Sequence, residues 1–170
     1  MREPTSGVVI GKVTNVQDPE NLGRIEVTYP WLSESNRSRW ASVASIMAGP
    51  ERGAFFMPEI DDEVLITFEH GDWDHPYVIG FLWNEVQRPP SATVHQRVVC
   101  SVNGQRIRIL DPEPTGDGNT GAIVIEDGNG NKISMTNSVM RISCRGQLEI
   151  NATGSIHIGG RPLNKQGGII

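Results

Sequence analysis

Between Val139 and Pro162 the chain runs through three consecutive eight-residue units of one pattern, VMRISCRG, QLEINATG and SIHIGGRP. Apolar residues take the second place of each unit (Met140, Leu148, Ile156) and the fourth (Ile142, Ile150, Ile158), and small ones the sixth (Cys144, Ala152, Gly160). Side chains two apart share one face of an extended chain, so each unit predicts a short strand with a dry and a wet face. Arg141, Ser143, Glu149, Asn151 and His157 fall on the wet face, while Gly146, Gly154 and Pro162 close the units where the chain turns a corner. Six aliphatic side chains are too few to offset the entropy lost by ordering all three units. The missing stabilisation must come from other chains, since repeats this short bury their faces only against stacked neighbours. Residues 137–162 therefore read as one strand-set of an intertwined oligomeric β-helix, with Met140, Ile142, Cys144, Leu148, Ile150, Ala152, Ile156 and Ile158 inside it. The competing arrangement is a meander packed on the preceding domain.

Upstream the period is also two, but the phrasing is looser. GVVIGKVTNV and RIEVTYPWL flank QDPENLG, a turn rich in Asp, Pro, Asn and Gly, and so predict a β-hairpin. RWASVASIMA is a third extended run with Trp40, Val43 and Ile46 as core candidates, a short helix being the alternative. EVLITFEHG and PYVIGFLWN supply two more strands around the turn GDWDHP. Five strands without a convincing amphipathic helix predict an all-β chain that opens with a five-stranded OB-fold barrel over residues 1–86. Residues 87–97, with two prolines, read as a linker. Residues 98–136 read as an irregular β approach to the octads, and 163–170 as a tip outside the pattern.

Bulk properties narrow the function. A chain of 170 residues has room for one ordinary domain and an extension. No apolar run is long enough to span a membrane, and MREPTSG lacks the apolar core of a secretory signal, so synthesis in the cytoplasm is expected. A formal charge of −5 with scattered acids disfavours nucleic acid as a partner. Cys100 and Cys144 lack CxxC spacing and suit a reducing compartment, Cys144 as a small apolar residue.

Candidate chemistry dissolves on inspection. His70, Asp72, Asp74 and His75 sit on one turn and match no metal-ligand template. Asp61, Asp62 and Glu63 read as a solvated turn rather than as paired catalytic carboxylates. DGNGN at Asp127 lacks the bidentate Glu of a calcium loop and reads as a hairpin turn. No catalytic site and no cofactor are expected.

The first domain resembles the OB domain of phage baseplate assembly protein V, shared by the valine-glycine-repeat spike proteins of type VI secretion and related contractile injection systems. The resemblance runs densely from Gly7 to Asn84. It rests on Gly11, Val13, Asp18-Pro19, Gly23-Arg24, Val27 and Tyr29-Pro30-Trp31, then Trp40-Ala41, Met47-Ala48-Gly49 and Phe56-Met57-Pro58-Glu59. Asp62-Glu63-Val64, Phe68, Gly71-Asp72, Pro76 and Val78-Ile79-Gly80 complete it, and the octads match the family's C-terminal triple-stranded β-helix in character. Asp61 stands where the family usually has Gly.

The resemblance implies a homotrimeric central spike of a contractile tail or injection machine, a component assembled into that particle. The barrels would form a collar on a separate baseplate hub protein, and the needle would breach the target cell envelope when the sheath contracts. Some relatives carry a His-x-His pair near the tip that binds iron. Here Ile156-His157-Ile158 offers one histidine on the wet face, which leaves His157 as a weak metal candidate beside its reading as a surface residue. Residues 163–170 read either as a cap folded over the needle's end or as an apolar platform for a separate protein, and the resemblance makes a PAAR-type tip protein the natural partner for Leu163, Ile169 and Ile170. The rival reading is an OB-fold module for oligosaccharide or single-stranded nucleic acid with an oligomerisation stalk, which calls for clustered aromatics and bases. Trp31, Trp40, Trp73 and Trp83 are expected to lie apart.

Ile150→Asp should abolish oligomerisation while Glu149→Ala leaves it intact, as read from solution mass; equal effects would show the inward and outward assignments to be wrong.

Overall fold

The computed structural model describes residues 7–32, 38–112 and 120–162. The chain divides into two compact units, Met1–Pro89 and Pro90–Ile170. The described residues contain no α-helix, and no helix long and apolar enough to cross a membrane.

In the first unit β1 (Val9–Asn15), β2 (Arg24–Thr28), β3 (Ala41–Val43), β6 (Glu63–Phe68) and β7 (Pro76–Leu82) close a barrel in the order β1-β2-β3-β7-β6. β4 (Ala48–Gly49) and β5 (Arg52–Gly53) form a separate small hairpin within the β3–β6 connection. All neighbouring barrel strands are antiparallel except β3 and β7. Alternation sends Val13, Ile25, Val27, Val64, Ile66 and Val78 inward, all fully buried. Gly11 is the inward residue of β1 that must be small, since a Cβ there would lie 2.8 Å from Ile66 Cδ1 and 3.2 Å from Val27 Cγ2. The expected five-stranded barrel is thus observed.

Tyr29, Trp31, Phe68 and Trp73 gather into one aromatic cluster, with Tyr29 5.3 Å from Trp31, 5.5 Å from Trp73 and 6.0 Å from Phe68 between ring centroids. Two tryptophans expected to lie apart therefore share a neighbour, because the ends of β2 and β6 lie at one end of the barrel. Trp40 likewise has a basic neighbour, the Arg24 guanidinium 6.0 Å from its ring. Ile46 is a second correction: it is 93% exposed rather than core. β3 stops at Val43, and the Ser45 hydroxyl donates to the Ala54 carbonyl, so the chain swings out into the β4–β5 hairpin.

Two turns show why these residues stand where they do. The Asp18 carboxylate accepts from the backbone amides of Glu20, Leu22 and Arg24 and from the Arg24 guanidinium at 2.7 and 3.0 Å, so one side chain organises the whole β1–β2 turn. Asp61 has φ 76°, in the left-handed region that glycine enters freely and aspartate tolerates. Its carboxylate lies 2.8 Å from Lys12 Nζ and its amide donates to the Val13 carbonyl, which holds the turn without a glycine.

The second unit is an antiparallel meander of β8 (Gln96–Cys100), β9 (Arg106–Leu110), β10 (Ala122–Glu126), β11 (Lys132–Met135) and β12 (Met140–Ser143), paired in sequence order. β8 begins inside the stretch read as linker. Asp127 and Asn131 shape the β10–β11 turn: Asp127 Oδ1 accepts from the amides of Asn129 and Asn131, and Asn131 Nδ2 donates to Asp127 Oδ2 at 2.6 Å. β13 (His157–Ile158) and β14 (Arg161–Pro162) pair in a short hairpin, and no strand is formed between β12 and β13.

The Arg24 guanidinium holds the Asp18 carboxyl well below the usual carboxylate range, backbone amides adding to the effect and desolvation opposing it. Its native pKa lies under the unfolded value of about 3.9. The turn therefore contributes its full stabilisation above that value and loses it as pH falls through the native pKa. Asp18→Asn is expected to lower the urea midpoint at pH 7, and the gap from wild type should close as the pH is taken down from about 4.

Candidate assembly interface

The register of the meander sorts its side chains into two unlike faces. Val99, Ile107, Ile125, Ile133 and Ile142 are cross-strand partners in one unbroken row over all five strands. Two residues along, Arg97, Ile109, Ile123, Met135 and Met140 form a second row on the same face. Nine of these ten residues are apolar, and each of the nine is 37–67% exposed. Arg97 stands at the edge and pairs with Asp111. Around β8–β11 this face is slightly hollowed, with a concavity of about 490 Å³ whose lining includes Val99, Ile107, Ile125 and Ile133.

The opposite face is the more polar one. Val98, Arg108, Val124, Ser134 and Arg141 form its central row, and Arg108 reaches Glu126 Oε2 at 2.8 Å over the buried Val124. Long charged side chains cover apolar surface with their stems, which is how Val124 becomes buried on the wetter side. Nothing comparable covers the apolar face.

The octads continue this division at their start. Register places Met140 and Ile142 on the apolar face beside Met135 and Ile133, and Arg141 opposite Ser134 on the polar face. Cys144, Leu148, Ile150 and Ala152 follow β12 outside any strand and are exposed; Ile156 is half-buried, and Ile158, in β13, is exposed. The chain by itself therefore brings together only Met140 and Ile142 of the eight predicted interior residues. Leu163, Ile169 and Ile170 lie outside the described residues. His157 is exposed, its Nε2 2.7 Å from Ser155 Oγ. Among the described residues no three His, Cys, Asp or Glu side chains converge on a common point. On the first unit His75 Nδ1 lies 3.0 Å from Asp72 Oδ2, and Asp74 pairs with Arg39, all on the surface. The Asp74 amide first, and then the His75 ring, hold the Asp72 carboxyl below its ordinary pKa.

The rows upstream of Met140 were missed in the sequence, where 98–136 read as irregular. The signal was present in RIRIL, AIVIE and KISM, each alternating with period two. Unequal turns between them break the eight-residue phase and hide their common face.

Residues 9–83 match the family described as the Type VI secretion system/phage-baseplate injector OB domain. Over these residues the barrel is similar to that OB domain. Its match coincides with the stretch on which the resemblance rested. Relatives in Pseudomonas aeruginosa include the Type VI secretion system spike protein VgrG2a, 27% identical over 62% of this chain and 13% of the relative. VgrG1a of the same organism is 32% identical over 53% of the chain and 15% of the relative. The spike protein VgrG3 of Vibrio cholerae is 34% identical over 51% of the chain and 9% of the relative. The chain thus spans a small fraction of the length of the curated relatives it matches.

Ile125, at the centre of the longer apolar row, gives the measurement for this face. Ile125→Ala is expected to cost about 2–4 kcal/mol in urea unfolding of the full chain, as for a buried aliphatic. A side chain that stayed in water would lose no more than about 0.5 kcal/mol.

Proposed function

We propose that the chain is the central spike of a contractile tail or injection machine, and that it works as a homotrimer without catalytic chemistry. The observation that carries this reading is the apolar sheet face: nine apolar side chains on five adjacent strands, uncovered by the described residues. Monomeric proteins rarely leave a contiguous apolar patch of this kind in water. Two further copies presenting the same face close a three-sided prism with an apolar interior, and the octads extend it as a needle. The eight-residue phasing supports more than one copy, and the number three comes from the spike proteins that the chain resembles.

In this reading the OB barrels form a collar bound to a baseplate hub protein, and the needle points away to breach the target cell envelope when the sheath contracts. A closed prism has few free strand edges and unfolds slowly, which suits a part that must survive a mechanical stroke. Residues 163–170 end in two isoleucines and offer an apolar platform to a PAAR-type tip protein, with Leu163, Ile169 and Ile170 as the contacts. The rival reading as a nucleic-acid or glycan module gains the clustered aromatics it calls for in Tyr29, Trp31, Phe68 and Trp73, but a formal charge of −5 with scattered acids weighs against a nucleic acid.

Light scattering is expected to give three times the 18.6 kDa chain mass at micromolar concentration, with a trimer that resists SDS unless boiled. A species of 18.6 kDa under those conditions would sink the spike reading.

A further inference from the structure

Strand directions bring several features to one end of the barrel. β1, β3 and β7 end there and β2 and β6 begin there, because β3 and β7 run parallel while the other neighbours are antiparallel. The β1–β2 turn, the β4–β5 hairpin and the exit of the chain after β7 therefore all belong to this end.

The exit end is apolar in two places. Around the hairpin, Ile46 is 93% and Phe55 80% exposed, with Met47 and Phe56 more than half exposed. At the chain's exit Trp83 is 70% and Val86 91% exposed. The patches lie on different parts of the rim. A Cβ on Gly23 would sit 3.7 Å from Phe55 Cε2, which puts the first patch at the start of β2; Leu82, beside Trp83, pairs with Glu63 at the start of β6. In the barrel order β2 and β6 flank β1 on opposite sides.

Two unlike apolar patches per copy are what a closed ring of identical barrels needs, because a head-to-tail contact joins different surfaces of successive copies. Charge is mixed on both sides, with Glu51 beside Arg52 in the hairpin and with Lys12 and Arg88 beside Glu63 and Glu85 at the second patch, so the apolar side chains carry the contact.

We propose that the β4–β5 hairpin of one copy docks on the Trp83 rim of the next, closing the barrels into a ring. This rests on the trimer proposed above. Residues 83–95 join β7 to β8, a tether of at most about 45 Å, so assembled sheets hold the three barrels at an effective concentration near the millimolar range. At that concentration even weak apolar patches find each other, and burial of Phe55 and Trp83 then orients the collar.

The test uses full-length chains carrying Cys100→Ser and Cys144→Ser, with Phe55→Cys in one and Trp83→Cys in the other. They are co-expressed, oxidised gently and separated on a non-reducing denaturing gel. A covalent dimer of twice 18.6 kDa is expected from the mixture, in about tenfold excess over either variant alone. Absence of that excess in a preparation that light scattering shows to be trimeric would overturn the ring and leave the spike reading standing. A monomeric mass would overturn both. Equal dimer from either variant alone would indicate like-to-like contact and also overturn the ring.

Discussion

Water exclusion from one face of the β8–β12 sheet is the constraint on which the rest of the structure depends. A barrel closes on itself and so has an inside; an open sheet of five strands has two outsides. On one of them Arg108 and Glu126 fold over Val124 and make a tolerable surface. On the other, Val99, Ile107, Ile125, Ile133 and Ile142 line up across every strand and stay more than a third exposed among the described residues. The octads sharpen the same difficulty, since Leu148 and Ile150 are exposed outside any strand. One physical deficit thus runs through the second unit, and the trimer proposed above is the arrangement that removes it.

The first unit works on the opposite principle. Its six fully buried aliphatic residues come from β1, β2, β6 and β7, and closure leaves none of the five strands as an edge. Its turns are held by charge rather than by bulk. Asp18 receives a guanidinium and three backbone amides, and Asp61 combines a left-handed backbone with an ion pair to Lys12. A self-sufficient barrel followed by an insufficient sheet suits a modular part in which attachment and needle are built by different rules. In the proposed spike, such a division lets the barrel fold before the second unit assembles, because the barrel needs no partner to complete its core.

Much of this was legible beforehand, for specific reasons. Val64, Ile66 and Phe68 alternate strictly in the sequence and are inward in the barrel. Of the octads, the first has its alternation in a strand, with Met140 and Ile142 on one face of β12 and Arg141 on the other. Ile46 misled because its spacing from Val43 looked like continued core, whereas a hydroxyl–carbonyl bond at Ser45 ends the strand register. The rows through Ile107 and Ile123 went unread because turns of unequal length separate strands of equal pattern.

The sequence by itself determined local alternation, the turn chemistry at Asp18 and Asp127, and the insufficiency of the octads, since each depends on residues near one another in the chain. Only the tertiary structure decided that Val99 and Ile142 share a row, that Tyr29, Trp31, Phe68 and Trp73 meet, and that the hairpin and the chain's exit occupy one end of the barrel. Register and strand direction are long-range properties. A one-residue slip would have sent every isoleucine of the sheet to the other face, and only pairing across strands rules that out.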